Sequence, residues 1–357
     1  MSSEHEVVHP ETLLKQLDAL WTEFGKGSDD TSNGVVRACS LTWITVVEGD
    51  DAAVYEVDTM LADVMRVHPS RAIVVLLREG DERRLKGSVS AQCWRPFGSK
   101  QQVCIERVLL DTTRAGACDL PAVIRALIVA DLPVVVVCRN AHLLGLQGIE
   151  ETSAMADRVV VDIAWKGTEC HALWPRMPKL GKYVSDLAWD RIRGFRRAIA
   201  EHFASPVARE LLAELTELRV FTRPGCPAPE AAYLLTWILG SLGYQYDGDG
   251  AQSKNVWRKG EATVKAGFAA DEKADAPPAK NPVIAVEFRS SAKVLRFETG
   301  MLEPRQNGAT RLPVPCTESD TALLSDEMVV EHRRRTFEHH LDETIRLFEE
   351  PVYLADE

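Results

Sequence analysis

The chain has 357 residues, with 42 Lys and Arg against 53 Asp and Glu, a formal charge of −11. At 45 % hydrophobic and 27 % charged residues it has the composition of a soluble globular protein, and its length suits about two domains of ~100–200 residues. An acidic chain is a poor counterion displacer on nucleic acid, no apolar run nears the ~20 residues of a membrane span, and MSSEHEVVHP lacks a secretory pattern, so a cytoplasmic protein with neither nucleic acid nor membrane as partner is expected.

Leu13, Leu17, Leu20 and Phe24 recur at helical spacing, and Gly25 and Gly27 stop that helix near residue 28. GSDDTSNG reads as a loop. Val35–Val47 is rich in β-branched residues and predicts one long strand. Asp50 or Asp51 caps the next helix, whose apolar face is Val54, Val57, Leu61 and Val64 and whose end is marked by Pro69. Arg71–Leu77 is a strand again, so strand, helix and strand form a βαβ unit with parallel pairing. Ser88–Cys93 and Gln101–Asp111 predict an antiparallel hairpin turned by RPFGSK. A helix over Leu120–Val129, with Pro121 in its first turn, leads to the continuous apolar strand Leu132–Cys138, and Asp157–Ala164 is a further strand. The first half is therefore expected to be a mixed α/β sheet domain, residues 1–175, with about six strands.

The stretch HALWPRMPKLGKY carries two prolines and a glycine and places the domain boundary. A long helix is predicted over Ser185–Phe203, burying Ala188, Ile192, Phe195, Ile199 and Phe203. Leu215–Thr222 reads as a strand and Pro229–Leu242 as a helix apolar all round. Asn255–Phe268 and Val283–Phe297 alternate in strand fashion on either side of DEKADAPPAKNP. A final helix, roughly Asp326–Phe348, has its seam at Phe337, Leu341, Ile345 and Phe348. Residues 176–357 are thus expected to form a smaller α+β domain with an antiparallel sheet and a long C-terminal helix.

The sharpest chemical motif is His5-Glu6-Val7-Val8-His9, an HExxH, but Pro10 follows at once and no helix can carry the pair through it. Cys138 and His142 stand four apart without a second ligand pair, so no metal and no cofactor is expected. No GxGxxG, GxxxxGK[ST] or GxSxG occurs. The eight cysteines contain no CxxC and mostly sit in apolar runs, which predicts reduced structural thiols. Cys93 and Cys104 stand opposed across the hairpin only in one register, which the sequence leaves open.

Charged residues remain at the ends of apolar elements: His68-Pro69-Ser70-Arg71, Asp131, Asp157-Arg158 and Asp162. They read either as caps and cross-strand pairs or as a polar rim where an α/β sheet binds ligands, with Arg71 and Arg158 as anion contacts. Trp189 with Arg191 and Arg193 reads either as packing under a solvated helix face or as an interface cluster.

In order, HPSRAIVV, AQCWRPFG with QQVCIERV, LPAVIRALIVADLPV, ADRVVVD and SDLAWDRIRGFRRAIAEHF resemble the OpcA family, the glucose-6-phosphate dehydrogenase assembly or activator proteins. The resemblance spans both halves and is most specific in DLPV and DLAWDRIRGFR. It implies a non-catalytic partner, not an enzyme, that binds glucose-6-phosphate dehydrogenase, promotes its active oligomer and supports NADPH supply. Carried over by motif, the partner- or ligand-binding candidates in the first half are His68, Pro69, Arg71, Gln102, Glu106, Asp131, Pro133, Asp157 and Asp162. Asp186, Trp189 and Arg191 follow, with Arg193 added from the Trp189 cluster. Ser70 stands where relatives often carry Cys, and Val136-Val137-Cys138 where they carry tryptophans. The alternative expectation is a sugar-phosphate-binding α/β enzyme acting on metabolites of the same pathway, with Arg71, Asp131 and Asp162 at strand ends.

Overall fold

The computed structural model describes residues 7–26, 35–164, 183–223, 228–246, 255–270, 282–300, 305–306, 309–315, 319–329, 341–349 and 354. The chain forms two compact units, Met1–Asp186 with Leu324–Glu331, and Leu187–Leu323 with His332–Glu357. The expected boundary stretch HALWPRMPKLGKY lies outside the described residues except for Tyr183, as do Glu6 and His5 of the HExxH and the loop at 271–281.

The first unit runs α1 (Pro10–Lys26), β1 (Val35–Arg37), β2 (Leu41–Glu48), α2 (Asp51–Val67), β3 (Ser70–Arg78), β4 (Leu85–Trp94), β5 (Gln102–Thr113), α3 (Leu120–Leu127), β6 (Val134–Cys138), α4 (Gln147–Ala154), β7 (Arg158–Val161) and β8 (Tyr183–Asp186). Among the described residues its sheet has eight strands, in the order β4-β5-β3-β2-β6-β7-β8, with β1 pairing the start of β5 on the side that β3 takes further along. Every pairing is parallel except the β4–β5 hairpin. All of β6 and the first eight residues of β3 are buried, the pattern of strands covered on both faces. Asp50 caps α2, its Oδ1 accepting from Ala52 N at 3.0 Å and Ala53 N at 3.4 Å. The six residues that α2 buries include the predicted Val54, Val57, Leu61 and Val64.

The predicted long strand at 35–47 is two strands. Between them the backbone passes the start of β3, where Ser40 N donates to Pro69 O at 2.7 Å, while Ala38 N still donates to Cys104 O at 3.0 Å. Three residues suffice to step sideways by one strand spacing of ~4.8 Å, so β-propensity continues through a change of partner. The sheet also gains β8, which makes eight strands instead of six. Cys93 and Cys104 are directly paired in the hairpin and form a disulfide, which corrects the expectation of reduced thiols for these two. Cys39, Cys118 and Cys138 are free.

The second unit contains α5 (Leu187–Arg191), α6 (Arg193–His202), α7 (Pro206–Ala213), β9 (Leu215–Thr222), α8 (Pro229–Ser241), β10 (Gln245–Tyr246), β11 (Val256–Lys259), β12 (Ala262–Ala270), β13 (Val283–Ser290), β14 (Val294–Thr299), β15 (Arg305–Gln306) and β16 (Ala309–Val314). Two helices follow, α9 (Asp320–Val329), whose residues divide between the units at Leu323, and α10 (Leu341–Glu349). The sheet order is β10-β11-β12-β9-β13-β14-β16-β15. It is mixed, not antiparallel, because β12–β9 and β14–β16 are parallel. The two predicted strand regions at 255–268 and 283–297 are each a hairpin, turned at Gly260 (φ 59°) and at Ser290–Lys293. The helix expected over 185–203 starts later, because Ser185 and Asp186 belong to β8, and it breaks at Ile192 into α5 and α6. Its predicted buried stripe is buried nevertheless, and Phe203 joins Phe288 and Phe297 at ring separations of 5.1 and 6.1 Å. The C-terminal helix starts earlier than expected, at Asp320, and residues 330–340, with Phe337, lie outside the described residues.

Candidate functional site

Parallel strands put polar residues at two opposite rims of the first sheet. At the N-terminal rim the chain places His68 and Pro69 before β3, Arg71 in it, Gln102 and Glu106 in β5, Asp131 and Pro133 before β6, and Asp157 before β7. Glu106 is the centre, only 3 % exposed. Its Oε2 accepts from Arg71 Nε at 2.5 Å, and its Oε1 accepts from Trp21 Nε1 at 2.6 Å and pairs with Arg37 Nη2 at 2.5 Å. Arg71 Nη1 also donates to Leu127 O at 2.7 Å. Arg37 lies over the Trp21 ring, 5.3 Å from its centroid. A carboxylate holding two guanidiniums and an indole ties α1, β1, β3 and β5 together, and Arg71 ties α3 to the same point. Burial pushes the neighbouring Cys39 thiol up, against smaller opposing contributions from Arg71.

Pro133 and Asp157 act on backbone. Pro133 O accepts from Thr42 N at 2.8 Å, and Asp157 Oδ2 accepts from Val134 N at 3.0 Å, so both fix the entry of β6. Asp131 adopts a left-handed φ of 63°, a conformation that Asp tolerates better than most non-glycine residues and that turns the chain into DLPV. His68 Nε2 stands 3.1 Å from Ser325 Oγ. Arg158 at the start of β7 bonds both the Glu327 carbonyl and its carboxylate. Arg71 and Arg158, expected as anion contacts, thus each face a carboxylate of the protein itself.

Asp162 and Asp186, both fully buried, sit at the opposite, C-terminal rim, where Asp186 Oδ1 accepts from Ile163 N at 3.4 Å. In sheets of this kind ligands bind at the carboxyl ends of strands, where the connections reverse direction. Here the reversal falls between β2, whose connection leads to β3 on one side, and β6, whose connection leads to β7 on the other. That point carries Glu48, Arg114 and Asn140, which the sequence did not single out, and His142, which it offered only beside Cys138 as a metal pair. Glu48 Oε1 accepts from Arg114 Nη2 at 2.6 Å, its Oε2 lies 2.9 Å from His142 Nε2, and its backbone N donates to Asn140 Oδ1 at 3.2 Å. Burial alone would raise the Glu48 carboxyl, but hydrogen bonds from Arg114 and His142 outweigh it and hold the pKa below its ordinary value. Beside it Arg78 pairs with Asp51 and, at 2.7 Å, with Asp111. The signal available in sequence was position alone, EGDD after one apolar run and RNAH after another.

The first turn of α2, which would meet a phosphate at this point, presents Asp51 and amides already engaged by Asp50. An incoming phosphate would therefore face Glu48, Asp50 and Asp51.

In the second unit Trp189 is 7 % exposed, edge-on to Tyr233 at 5.7 Å and covered by Arg196 at 3.8 Å. Arg191, 5 % exposed, pairs with Asp320 at 3.1 Å and Glu230 at 3.3 Å, joining α5, α8 and α9. Arg193 reaches Asp190 at 3.2 Å. The cluster holds its own unit together and presents little of Trp189 to solvent. The same unit has an open groove of about 450 Å³, lined by His202, Ser205, Val207, Leu211, Lys293 and Val294 among others. Among the described residues no group of three or more His, Cys, Asp or Glu could hold a metal, and no helix is long and apolar enough to cross a membrane.

A mostly parallel sheet whose rims are laced by internal ion pairs, followed in the chain by a mixed-sheet unit, defines a two-unit α/β protein. Residues 62–177 match the glucose-6-phosphate dehydrogenase subunit N-terminal domain, and residues 182–353 its C-terminal domain. The chain belongs to the OpcA family. It is 26 % identical over 182 residues to a Nostoc punctiforme protein that bears the provisional description of OxPP cycle protein OpcA. The match covers 50 % of this chain and 39 % of that relative.

Proposed function

We propose that this chain is a non-catalytic assembly factor and allosteric activator that binds glucose-6-phosphate dehydrogenase, promotes its active oligomer and so serves NADPH supply by the oxidative pentose phosphate pathway. The observation that carries the reading is the pair of family domains matched in order along residues 62–353. The chemistry of the rims supports it. Arg71, Arg78, Arg114 and Arg158 each face a carboxylate of the chain, an arrangement suited to a rigid binding body. An activator works by binding the enzyme's active state more tightly than its inactive state, and each tenfold in that ratio is ~1.4 kcal/mol of coupling.

The test is size-exclusion chromatography of the full chain with the dehydrogenase of the same organism, followed by assay of that enzyme with and without the chain. Co-elution, a shift toward the larger enzyme oligomer and a changed dependence on glucose 6-phosphate are expected. Separate elution with an unchanged substrate curve overturns the reading. The second reading, a sugar-phosphate-binding enzyme, draws on the groove in the second unit, where Lys293, His202 and Ser205 stand over apolar walls. Calorimetric binding of glucose 6-phosphate by the chain alone, abolished by Lys293→Ala, would favour it.

A further inference from the structure

The β4–β5 hairpin ends in a tip built for contact. Phe97 is 109 % exposed, the most exposed large apolar side chain among the described residues. Single exposed apolar residues are ordinary on protein surfaces, but this one is held in place. Ser99 N donates to Pro96 O at 3.0 Å and Gly98 takes φ 76°, the third-residue conformation of a type II turn, which puts Phe97 at its apex. Ser99 Oγ accepts from Gln101 N at 3.0 Å, which fixes the return leg. Below the tip the strands are paired up to Trp94 and Val103, and the next pair is the Cys93–Cys104 disulfide. A tip so constrained loses little conformational freedom on binding.

Charge and surface point the same way. From Lys86 to Ile105 the chain has three cations, Lys86, Arg95 and Lys100, and no carboxylate, against a chain total of −11. Arg95 and Lys100 flank Phe97 and are exposed. At the base, the register sets Val36, Val103 and Trp94 side by side across β1, β5 and β4, and Val36 is 39 % exposed. An aromatic apex between cations, above an apolar row, has the make-up of an interface anchor with a charged rim.

We propose that the 95–101 tip is a docking finger that inserts Phe97 into an apolar pocket rimmed by carboxylates on the partner enzyme, with Arg95 and Lys100 pairing to the rim. The inference rests on the partner reading above and names the surface through which it acts. A protein pocket is favoured over an anionic lipid surface because the chain's net charge opposes approach to such a surface.

The experiment measures affinity of the full chain for the immobilised dehydrogenase by biolayer interferometry at low and high salt, for wild type, Phe97→Ala and the Arg95→Glu/Lys100→Glu double variant. Gly98 has open space around it and the altered side chains lie at the surface, so unchanged circular dichroism is expected. Phe97→Ala should weaken binding at least tenfold, about 1.4 kcal/mol. The double variant should weaken it by a factor that shrinks as salt rises. Wild-type binding with both variants equal to it overturns the finger and leaves the partner reading standing. Absence of wild-type binding overturns the partner reading and the finger with it. Phe97-dependent sedimentation with phosphatidylserine vesicles, with dehydrogenase affinity unaltered, overturns the finger in favour of a lipid surface.

Discussion

Glu106 shows how much a single buried carboxylate can govern. It is 3 % exposed and meets Arg71, itself 8 % exposed, Arg37 and the Trp21 indole. Removing one partner of a buried pair leaves the other charged and desolvated, at a cost of ~3–5 kcal/mol, while replacing both by apolar groups is often near neutral. Glu106→Ala should therefore lower the urea midpoint steeply, and Glu106→Leu/Arg71→Met should lose less than Glu106→Ala alone. Additive losses would show that the two side chains are not energetically coupled. Glu48 carries a pH signature. Its carboxyl titrates below the ordinary value of 4.5 in the folded chain, because Arg114 and His142 outweigh burial. A lowered folded pKa gives stability that is present above the unfolded value and is lost as pH falls through the folded one. Glu48→Gln should thus destabilise the protein at pH 7 and flatten the acid limb of its stability curve. An unchanged acid limb, read from urea midpoints across pH, would refute the assignment.

At the scale of elements, the β4–β5 hairpin is a local unit closed by a disulfide across 11 positions. A loop of that size is constrained by roughly 2–3 kcal/mol in the chain-entropy account. Cys93→Ala/Cys104→Ala should lower the urea midpoint accordingly, and dithiothreitol should bring wild type to the same value and leave the variant unmoved. Elements whose local pattern and long-range role agree were readable in the sequence: the β2–α2–β3 unit from its alternation of β-branched and helical periods, the hairpin from RPFGSK, and β9 to its ends. The step from β1 to β2 was hidden because Val35–Val47 keeps its β-branched character while the backbone changes neighbours. β8 was hidden because Tyr183–Asp186 offers four residues before a strong helical stripe, and strand pairing with β7 overrides that stripe. The site divided in the same way. Motif residues such as Arg71, Asp131 and Asp157 were visible as charges flanking apolar runs, but which rim each occupies depends on strand direction. Glu48, Asn140 and His142 become neighbours only through the sheet order.

At the scale of the molecule, chain order and structural units do not coincide. The first unit ends at Asp186 and takes in Leu324–Glu331 from near the other end of the chain. Within that unit Glu327, 3 % exposed, receives Arg158 from the start of β7, and Ser325 lies 3.1 Å from His68 at the end of α2. The sequence pointed elsewhere, to a final helix whose seam begins at Phe337, and singled out neither Ser325 nor Glu327. A chain ended after residue 318 keeps every strand of the first sheet, yet it should lose protection there. Hydrogen exchange should quicken at Val159–Val161 and at the last turn of α2, with the amides paired in β4 and β5 much less affected. Glu327→Ala in the full chain separates this from a general loss of the second unit: it should reproduce the faster exchange in β7 alone, because it removes the carboxylate but keeps the helix. Equal protection of β7 in wild type, truncation and Glu327→Ala would mean that Leu324–Glu331 adds nothing to the first sheet's stability.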